Sequence, residues 1–211
     1  ILIPIGIRCS IGNVPWAQYM TSLRSLKLEF TSKFNICGPY LSPISQLSCL
    51  EIYMPCYLKA YVTRAIADAT QLRTLKLFGK YSRPAALMEL TRLTGLEHLT
   101  FTAPQQLWGL NLLSYLTQLK TLAITLNGVP SSLGQQMCLD DLHFFTALVK
   151  LNKLKIFTPI TTESNSQALL MLTCLSSLNL LRLTLDIGCT LDKQVVAQLI
   201  ESLPDLQIIT L

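Results

Sequence analysis

The sequence has little charge and few of the patterns from which membrane spans and signal segments are built. Only 14% of its 211 residues are charged and 50% are hydrophobic, a balance that excludes a disordered chain. No uninterrupted apolar run approaches the roughly 18 residues of a membrane helix, and the richest one, at 168–172, ends at Thr173. A secretory signal is not indicated either, because Arg8 follows the first apolar residues instead of preceding them. We therefore expect a globular chain without membrane insertion.

The cysteines form no recognisable pattern. There are seven, an odd number, without a C-x-x-C pair, and Asn-x-Ser/Thr glycosylation sites are absent. Structural zinc and a disulfide framework are both disfavoured by this spacing. We expect free cysteines that act as small buried hydrophobes, and hence a reducing intracellular compartment, either the cytoplasm or the interior of an organelle.

Catalytic motifs are also scarce. The two histidines, His98 and His143, are far apart in the chain, and neither has a nucleophile at an informative spacing. A G-x-S-x-G motif is absent, and Gly79-Lys80 lacks the upstream glycine of a phosphate-binding loop. The acids at 140–141 beside His143 are more simply the cap and first turn of a helix than metal ligands. The sequence predicts a protein that is not an enzyme and has no catalytic residues, metal or cofactor.

A spaced phrase, Leu-x-x-Leu-x-(Leu/Ile/Phe), recurs eight times along almost the whole chain. Successive copies begin 24, 25, 24, 23, 32, 27 and 28 residues apart, which leaves room for one strand and one returning segment in each. Self-similarity at this period indicates a solenoid. The copies are Leu23-Leu26-Leu28, Leu47-Leu50-Ile52, Leu72-Leu75-Leu77, Leu96-Leu99-Phe101, Leu119-Leu122-Ile124, Leu151-Leu154-Ile156, Leu178-Leu181-Leu183 and Leu206-Ile209-Leu211.

Two periodicities alternate along the chain. Within each phrase the apolar anchors alternate with other residues, often Lys, Arg, Thr or Glu, which predicts a short strand. Ahead of the phrases, apolar residues spaced three and four apart predict one-sided helices. Together they predict an α/β solenoid with a curved parallel sheet inside and helices on its outer face. The helical series include Val62-Ile66-Ala69-Leu72, Leu87-Leu90-Leu93-Leu96, Leu110-Leu113-Leu116-Leu119, Leu142-Phe145-Leu148-Leu151 and Val196-Leu199-Leu203-Leu206.

These phrases resemble the leucine-rich repeat family, and the likeness covers essentially the full chain. In that family an Asn often follows the last strand anchor by three residues and bonds to the turn backbone, but here only Asn127 matches. Prolines stand at three equivalent positions, Pro55, Pro104 and Pro159, and predict rigid turns without a backbone donor. The longer later repeats are similar to the ribonuclease-inhibitor and F-box-associated types of repeat.

We expect residues 1–211 to form a single leucine-rich repeat domain of about eight repeats, taken from a longer protein, since neither end shows a terminal cap. The 32-residue interval that begins at Leu119 exceeds its 24-residue neighbours, and turn formers dominate the extra length at 127–134. This insertion is either a plain surface loop or a loop that makes contacts.

The variable positions in and beside the strand phrases hold the unbalanced charge. Eight basic residues and three acidic ones occupy them, whereas the rest of the chain has nine of each sign, so the net charge of +5 is assigned to the predicted inner face. Adjacent strands lie about 4.8 Å apart, within a screening length of about 8 Å, so neighbouring charges add their fields. With three aromatic residues that follow the third anchors, the candidate partner-binding residues are Arg24, Lys27, Tyr53, Arg73, Lys76, Phe78, Lys120, Lys153, Lys155, Phe157 and Arg182.

Such a surface predicts a non-enzymatic protein-interaction scaffold that binds a partner, in particular an acidic protein, on its basic inner sheet. An alternative is a structural subunit of a large assembly such as a ribonucleoprotein, where this face contacts RNA or neighbouring subunits. A third interpretation is that the Lys and Arg side chains only keep the exposed sheet hydrated, with their stems over apolar neighbours, and bind no partner. The family resemblance also implies a more specific form of the scaffold function. The chain would be the substrate-binding arm of an F-box protein, with the helical F-box preceding Ile1.

Overall fold

One parallel sheet organises the chain. A computed structural model describes residues 23–29, 45–58, 60–81, 85–103, 110–126, 144–160, 169–185 and 192–210. Within them eight strands pair in the order of the sequence, every pair being parallel. Each phrase contributes one strand, so the predicted α/β leucine-rich repeat solenoid is confirmed. The strands are β1 (Ser25–Glu29), β2 (Cys49–Leu58), β3 (Thr74–Tyr81), β4 (His98–Ala103), β5 (Thr121–Leu126), β6 (Lys153–Ile160), β7 (Leu180–Leu185) and β8 (Gln207–Thr210).

The anchors of the phrases form a continuous core on one face of the sheet. Leu50, Leu75 and Leu99 are aligned on neighbouring strands and are fully buried. Because side chains alternate across a strand, these anchors face the core and the residues between them face away from it. Burying one such leucine stabilises the fold by about 1.5–3 kcal/mol. Because the strands are aligned in register, each repeat adds a similar contribution.

The segments that return the chain to the next strand are of two kinds. Three are α-helices, α1 (Ala60–Ala67), α2 (Ala85–Leu90) and α3 (Lys193–Ser202). Others are 3-10 helices, at Leu110–Tyr115, at 144–147 and at Leu169–Cys174. The prediction of ordinary helices at 110–119 and 142–151 was therefore wrong in type. Leucines three apart, as at Leu110 and Leu113, suit the three residues per turn of a 3-10 helix. The same spacing at Leu87 and Leu90 lies in α2, however, so spacing alone does not decide the type of helix.

Turn hydrogen bonds involve the same buried leucines. The Leu93 amide donates to the Leu90 carbonyl at 3.0 Å, and the Leu96 amide donates to the Leu93 carbonyl at 2.9 Å. The same bonds join Leu116 to Leu113 and Leu119 to Leu116, at 2.9 and 3.0 Å. Each third leucine thus supplies both a core side chain and the backbone bond that tightens the turn into the next strand.

Helix α3 begins at a cap that the sequence supplies. Asp192 precedes the helix, and its carboxylate accepts a hydrogen bond from the Gln194 amide at 2.8 Å. Val195 and Leu199 are buried against the sheet. The sequence pattern placed Val196 inward, but Val196 is only half-buried. Leu199 and Leu203 are buried as predicted, so only the first member of the series was wrong, because Val195 and Val196 are adjacent and equally apolar.

The strands do not end at the prolines that follow Tyr53 and Phe157. Strand β2 runs through Pro55 and β6 runs through Pro159, so the prediction of turns at these two positions was wrong. Pairing instead changes register within both strands, between Tyr53 and Tyr57 in β2 and between residues 156 and 160 in β6. A proline lacks the amide that a ladder bond needs, and a bulge accommodates that loss. Pro104, Asn127 and residues 127–134 and 140–143 lie outside the described residues.

The last strand is shifted by one residue relative to its phrase. Ile208 pairs with Leu181, a core anchor, and Ile209 pairs with Arg182 on the opposite face. Ile209 is accordingly 41% exposed, while Ile208 packs partly against the core. The expected anchor at Ile209 was wrong, because a strand with apolar residues at two consecutive positions can place either of them inward.

At the end of the sheet where the strands begin, single backbone carbonyls each accept two hydrogen bonds from the next repeat. The Arg24 carbonyl accepts from the Ser48 and Cys49 amides at 2.8 and 3.0 Å. The Arg73 and Lys120 carbonyls accept in the same way from the next repeat. This N-terminal edge holds successive strands in register. In the described stretches none of the helices combines the length and the apolar composition needed to cross a bilayer.

Candidate partner-binding face

The side chains between the anchors form an open face, on the side of the sheet away from the core. In its central row the strand register aligns one residue from each repeat. These residues change in chemistry from charged to small and back to charged. In strand order they are Lys27, Glu51, Lys76, Thr100, Ala123, Lys155, Arg182 and Ile209.

On β1 to β3 the charges of the open face compensate one another. Lys27 Nζ lies 2.6 Å from Glu29 Oε1, and Lys76 Nζ lies 2.6 Å from Glu51 Oε1. Hydrogen bonding to these carboxylates raises the pKa of both lysines. Among the side chains that the structure describes on these strands, two cations are thus balanced by two anions.

Two aromatic rings stand beside these ion pairs. Tyr53 on β2 and Phe78 on β3 are stacked, with ring centroids 4.5 Å apart and an interplanar angle of 14°. Lys27 Nζ lies 4.8 Å from the Tyr53 centroid, at cation–π distance. We call Tyr53 and Phe78 the aromatic pair. One face of the Tyr53 ring stacks on Phe78, and the ring also contacts the Lys27 ammonium. Chiefly the edge of the ring is therefore left for contact with a partner.

The middle of the open face is small and uncharged along its central row. Thr100 and Ala123 occupy that row on β4 and β5, and Ala123 is only 5% exposed. Thr121 and Thr125 stand beside Ala123 on the same strand and are half-buried. We call Thr100, Ala123, Thr121 and Thr125 the floor. The floor is not among the candidate contacts predicted from the sequence. Thr100 and Ala123 could have been found there, because they lie between the second and third anchors of their repeats.

A basic cluster of Lys153, Lys155 and Arg182 occupies the open face on β6 and β7. Lys155 and Arg182 are register partners, and the Arg182 guanidinium lies 5.7 Å from the centroid of the Phe157 ring. In the part of the chain that the structure describes, no carboxylate forms an ion pair with any of the three. Arg182 Nε is buried and has no hydrogen-bond partner there, and a buried donor is costly until a partner satisfies it.

Three of the predicted cations lie on the N-terminal edge instead of the open face. An Arg24 guanidinium nitrogen donates to Gln46 Oε1 at 3.2 Å, and the corresponding nitrogen of Arg73 donates to the Gly95 carbonyl at 2.7 Å. Lys120 Nζ lies 2.6 Å from Glu97 Oε2.

The physical reason is their position one residue before each strand, where the alternation of faces has not begun. Assigning the whole net charge to the sheet face was therefore wrong. Of the eight basic residues, five lie on the open face and three on its edge.

The described residues offer little to catalysis or metal binding. No group of three or more His, Cys, Asp or Glu side chains in the described stretches could hold a metal ion. His98 is an exposed residue on β4. Cys49 and Cys174 are free thiols, and burial raises the pKa of Cys174, which disfavours the reactive thiolate.

Comparisons with known proteins return structures and no sequence relatives. No protein-family model matches the chain, and no curated protein does. Among solved structures, an internalin from Listeria monocytogenes is 19% identical with a TM-score of 0.42, over 92% of this chain and 62% of that one. A leucine-rich repeat protein of Leptospira interrogans is 14% identical with a TM-score of 0.37, over 91% and 62%.

A third structure is the leucine-rich repeat ectodomain of the Arabidopsis receptor kinase HAESA in complex with an N-terminally extended IDA peptide hormone ligand. It is 13% identical with a TM-score of 0.35, over 79% of this chain and 36% of that one. The chain thus spans less than two thirds of the length of each of these structures.

Proposed function

We propose that the chain is a non-enzymatic interaction scaffold that holds an acidic segment of a partner protein on the open face. The observation that supports this proposal is the uneven charge of that face. Lys27 and Lys76 are paired with carboxylates, so the excess positive charge among the described side chains of the face comes from the basic cluster on β6 and β7. An acidic segment is the complementary partner for such a cluster.

Arg182 is the central residue of the proposed site. Its guanidinium stands beside the Phe157 ring, and its Nε lacks a hydrogen-bond partner among the described residues. Because Nε is buried, a carboxylate of the partner would bond to the terminal nitrogens of the guanidinium and gain from partial desolvation, where charge-assisted hydrogen bonds are strongest. Phe157 would add apolar contact to the same partner.

The remaining candidates have lesser roles in this proposal. Arg24, Arg73 and Lys120 are engaged with neighbouring repeats, and we propose that they add only long-range attraction. Lys27 and Lys76 keep their own carboxylates, while Tyr53 and Phe78 supply apolar contact.

Contact with RNA, as in a ribonucleoprotein subunit, is the less favoured alternative. Tyr53 is stacked on Phe78 and has a cation beside its ring, so it offers a poor platform for base stacking. Three cations without carboxylate partners would neutralise about three phosphates, and a salt slope of about −2 to −3 would follow.

The test uses a synthetic tetraglutamate peptide as the probe and measures its affinity for the full 211-residue chain. Lys155→Glu and Arg182→Glu should each weaken binding by at least about tenfold. Arg24→Glu is the matched control, since it makes the same change in charge at the N-terminal edge, and it should weaken binding by less than about threefold. Equal losses in all three variants would overturn the proposal, because they would report net charge and not a site.

Two finer proposals concern the type of repeat and the compartment. We propose a repeat of the ribonuclease-inhibitor or F-box-associated type, supported by the α-helices α1, α2 and α3, although the 3-10 helices between them depart from it. The free thiols of Cys49 and Cys174 support a reducing compartment. Thiol titration of the protein, isolated without reductant and then unfolded in denaturant, should return seven free cysteines, and any disulfide would contradict this proposal.

A further inference from the structure

Two parts of the open face differ in chemistry and are separated by the uncharged floor. The aromatic pair lies on β2 and β3, where the charges cancel, and the basic cluster lies on β6 and β7. We propose that the occupant is an extended peptide segment with an apolar side chain on the aromatic pair and acidic side chains on the basic cluster. This inference rests on the proposed function and specifies its ligand.

The strand order fixes the spacing of the two contacts. The midpoint of β2 and β3 and the midpoint of β6 and β7 are four strand intervals apart, which is about 19 Å at roughly 4.8 Å per interval. An extended chain covers about 3.3 Å per residue. The apolar and acidic side chains of the ligand are therefore about six residues apart.

The aromatic pair selects an aliphatic side chain. Tyr53 and Phe78 use facing ring surfaces to stack on each other, and both remain half-buried. Ring edges and the shared rim can pack against a Leu, Ile or Val side chain without breaking the stack. A second acidic group is disfavoured here, since Glu29 and Glu51 already lie beside Lys27 and Lys76.

The floor favours an extended backbone over a helix. Ala123 and Thr100 are small, while aromatic and long basic side chains stand on either side of them. A helix about 10–12 Å in diameter would rest on the bulky side chains and leave the floor uncovered. An extended strand is thinner, and its backbone can approach the threonine hydroxyls of the floor, which donate and accept hydrogen bonds.

The experiment compares three synthetic peptides on the full chain. The spaced peptide carries Leu-Leu and Glu-Glu with five Gly/Ser residues between them. The adjacent peptide has the same composition, with the Gly/Ser residues moved to one end. The acidic peptide replaces the leucines of the spaced form with serine. We expect the spaced peptide to bind at least about tenfold more tightly than the adjacent one, because only it reaches both contacts at once.

Phe78→Ala should remove the advantage of the spaced peptide and leave binding of the acidic peptide unchanged, which also shows that the variant is folded. Equal affinity of the spaced and adjacent peptides, with acidic-peptide binding still lost in Arg182→Glu, would overturn this inference alone. If Arg182→Glu does not weaken the acidic peptide, the proposed function fails as well. Tighter binding of an oligouridylate than of the spaced peptide would overturn both in favour of RNA.

Discussion

Glu51 and Lys76 are register partners on β2 and β3, and their charged atoms lie 2.6 Å apart. The same row on β6 holds Lys155, whose register partners are Ala123 and Arg182. One row of the open face thus contains a neutral ion pair at one end and two adjacent cations at the other. Selectivity for an acidic partner depends on this difference more than on the net charge of the protein.

Removing the carboxylate from that ion pair should change the titration of its lysine. In Glu51→Gln we expect the pKa of Lys76 to fall, because the hydrogen bond to Glu51 is the main cause of its rise. A raised folded-state pKa stabilises the protein below the ordinary lysine pKa, and that contribution is lost as pH rises through the folded value. The variant should lack this fall in stability at alkaline pH, which amounts to less than about 1 kcal/mol because the site is partly exposed.

The measurement is a titration of the Lys76 side chain by NMR. Glu29→Gln is the matched control, since it removes an equal charge next to Lys27. A fall in the Lys76 pKa of the same size in both variants would contradict the pairing that the structure describes.

The ion pair on the N-terminal edge should control a carboxyl pKa. The pKa of Glu97 is lowered, chiefly by its hydrogen bond from Lys120, so we expect Lys120→Met to raise it. A lowered folded-state pKa stabilises the protein above the ordinary carboxyl pKa, and this contribution is lost as pH falls through the folded value. In the variant the loss of stability on acidification should be shallower.

Carbon-detected NMR of the Glu97 carboxyl group follows this pKa directly. Lys150→Met serves as the comparison, because the Lys150 ammonium donates to Gln118 and contacts no carboxylate in the described residues. The assignment would be refuted by a Glu97 pKa that moves in Lys150→Met and stays fixed in Lys120→Met.

The shift of β8 predicts unequal roles for two adjacent isoleucines. Ile208→Thr should destabilise the protein by about 1–2 kcal/mol, since it puts a hydroxyl against the core. Ile209→Thr should change the free energy of unfolding by less than about 0.5 kcal/mol, as expected of an exposed site. Urea unfolding of both variants measures the two changes. A larger loss of stability in Ile209→Thr than in Ile208→Thr would mean that Ile209 is the core anchor, as the repeat motif predicted.

The cap of α3 predicts a local effect. Asp192→Ala should cost about 0.5–2 kcal/mol, because the Gln194 amide loses its acceptor. Hydrogen exchange at the Gln194 amide should accelerate in the same variant. Asp205→Ala, which removes an exposed acid that follows the end of α3, is the control and should leave that exchange rate unchanged. Equal exchange in the two variants would mean that the cap contributes nothing.

The sequence was sufficient for the strands and the core, because these follow from a period of two that repeats at a nearly constant interval. Leu75 and Leu99 were assigned to the core from spacing alone, and both are fully buried. Where two apolar residues are adjacent, as at Ile208 and Ile209, the pattern does not specify a face, and the pairing with β7 decides it.

The candidate surface was only partly predictable. The faces of Lys155 and Arg182 follow from alternation, but the pairing of Lys76 with Glu51 depends on which residues the register brings opposite each other. The direction of the Arg73 side chain was not predictable either. Its guanidinium bonds to the Gly95 carbonyl, and a Cβ added at Gly95 would collide with it. Such contacts between repeats follow from three-dimensional proximity.

The two proline-containing strands suggest how this surface could be redesigned. In β2 and β6 the regular ladder is interrupted around Pro55 and Pro159, two residues beyond Tyr53 and Phe157. Pairing resumes beyond each proline in a shifted register, so the regular rows that present the aromatic side chains end before it. Segments grafted beyond Pro55 and Pro159 would therefore change the margin of the open face without moving the side chains of its rows. The parts of the surface on β2 and on β6 could then evolve independently of each other.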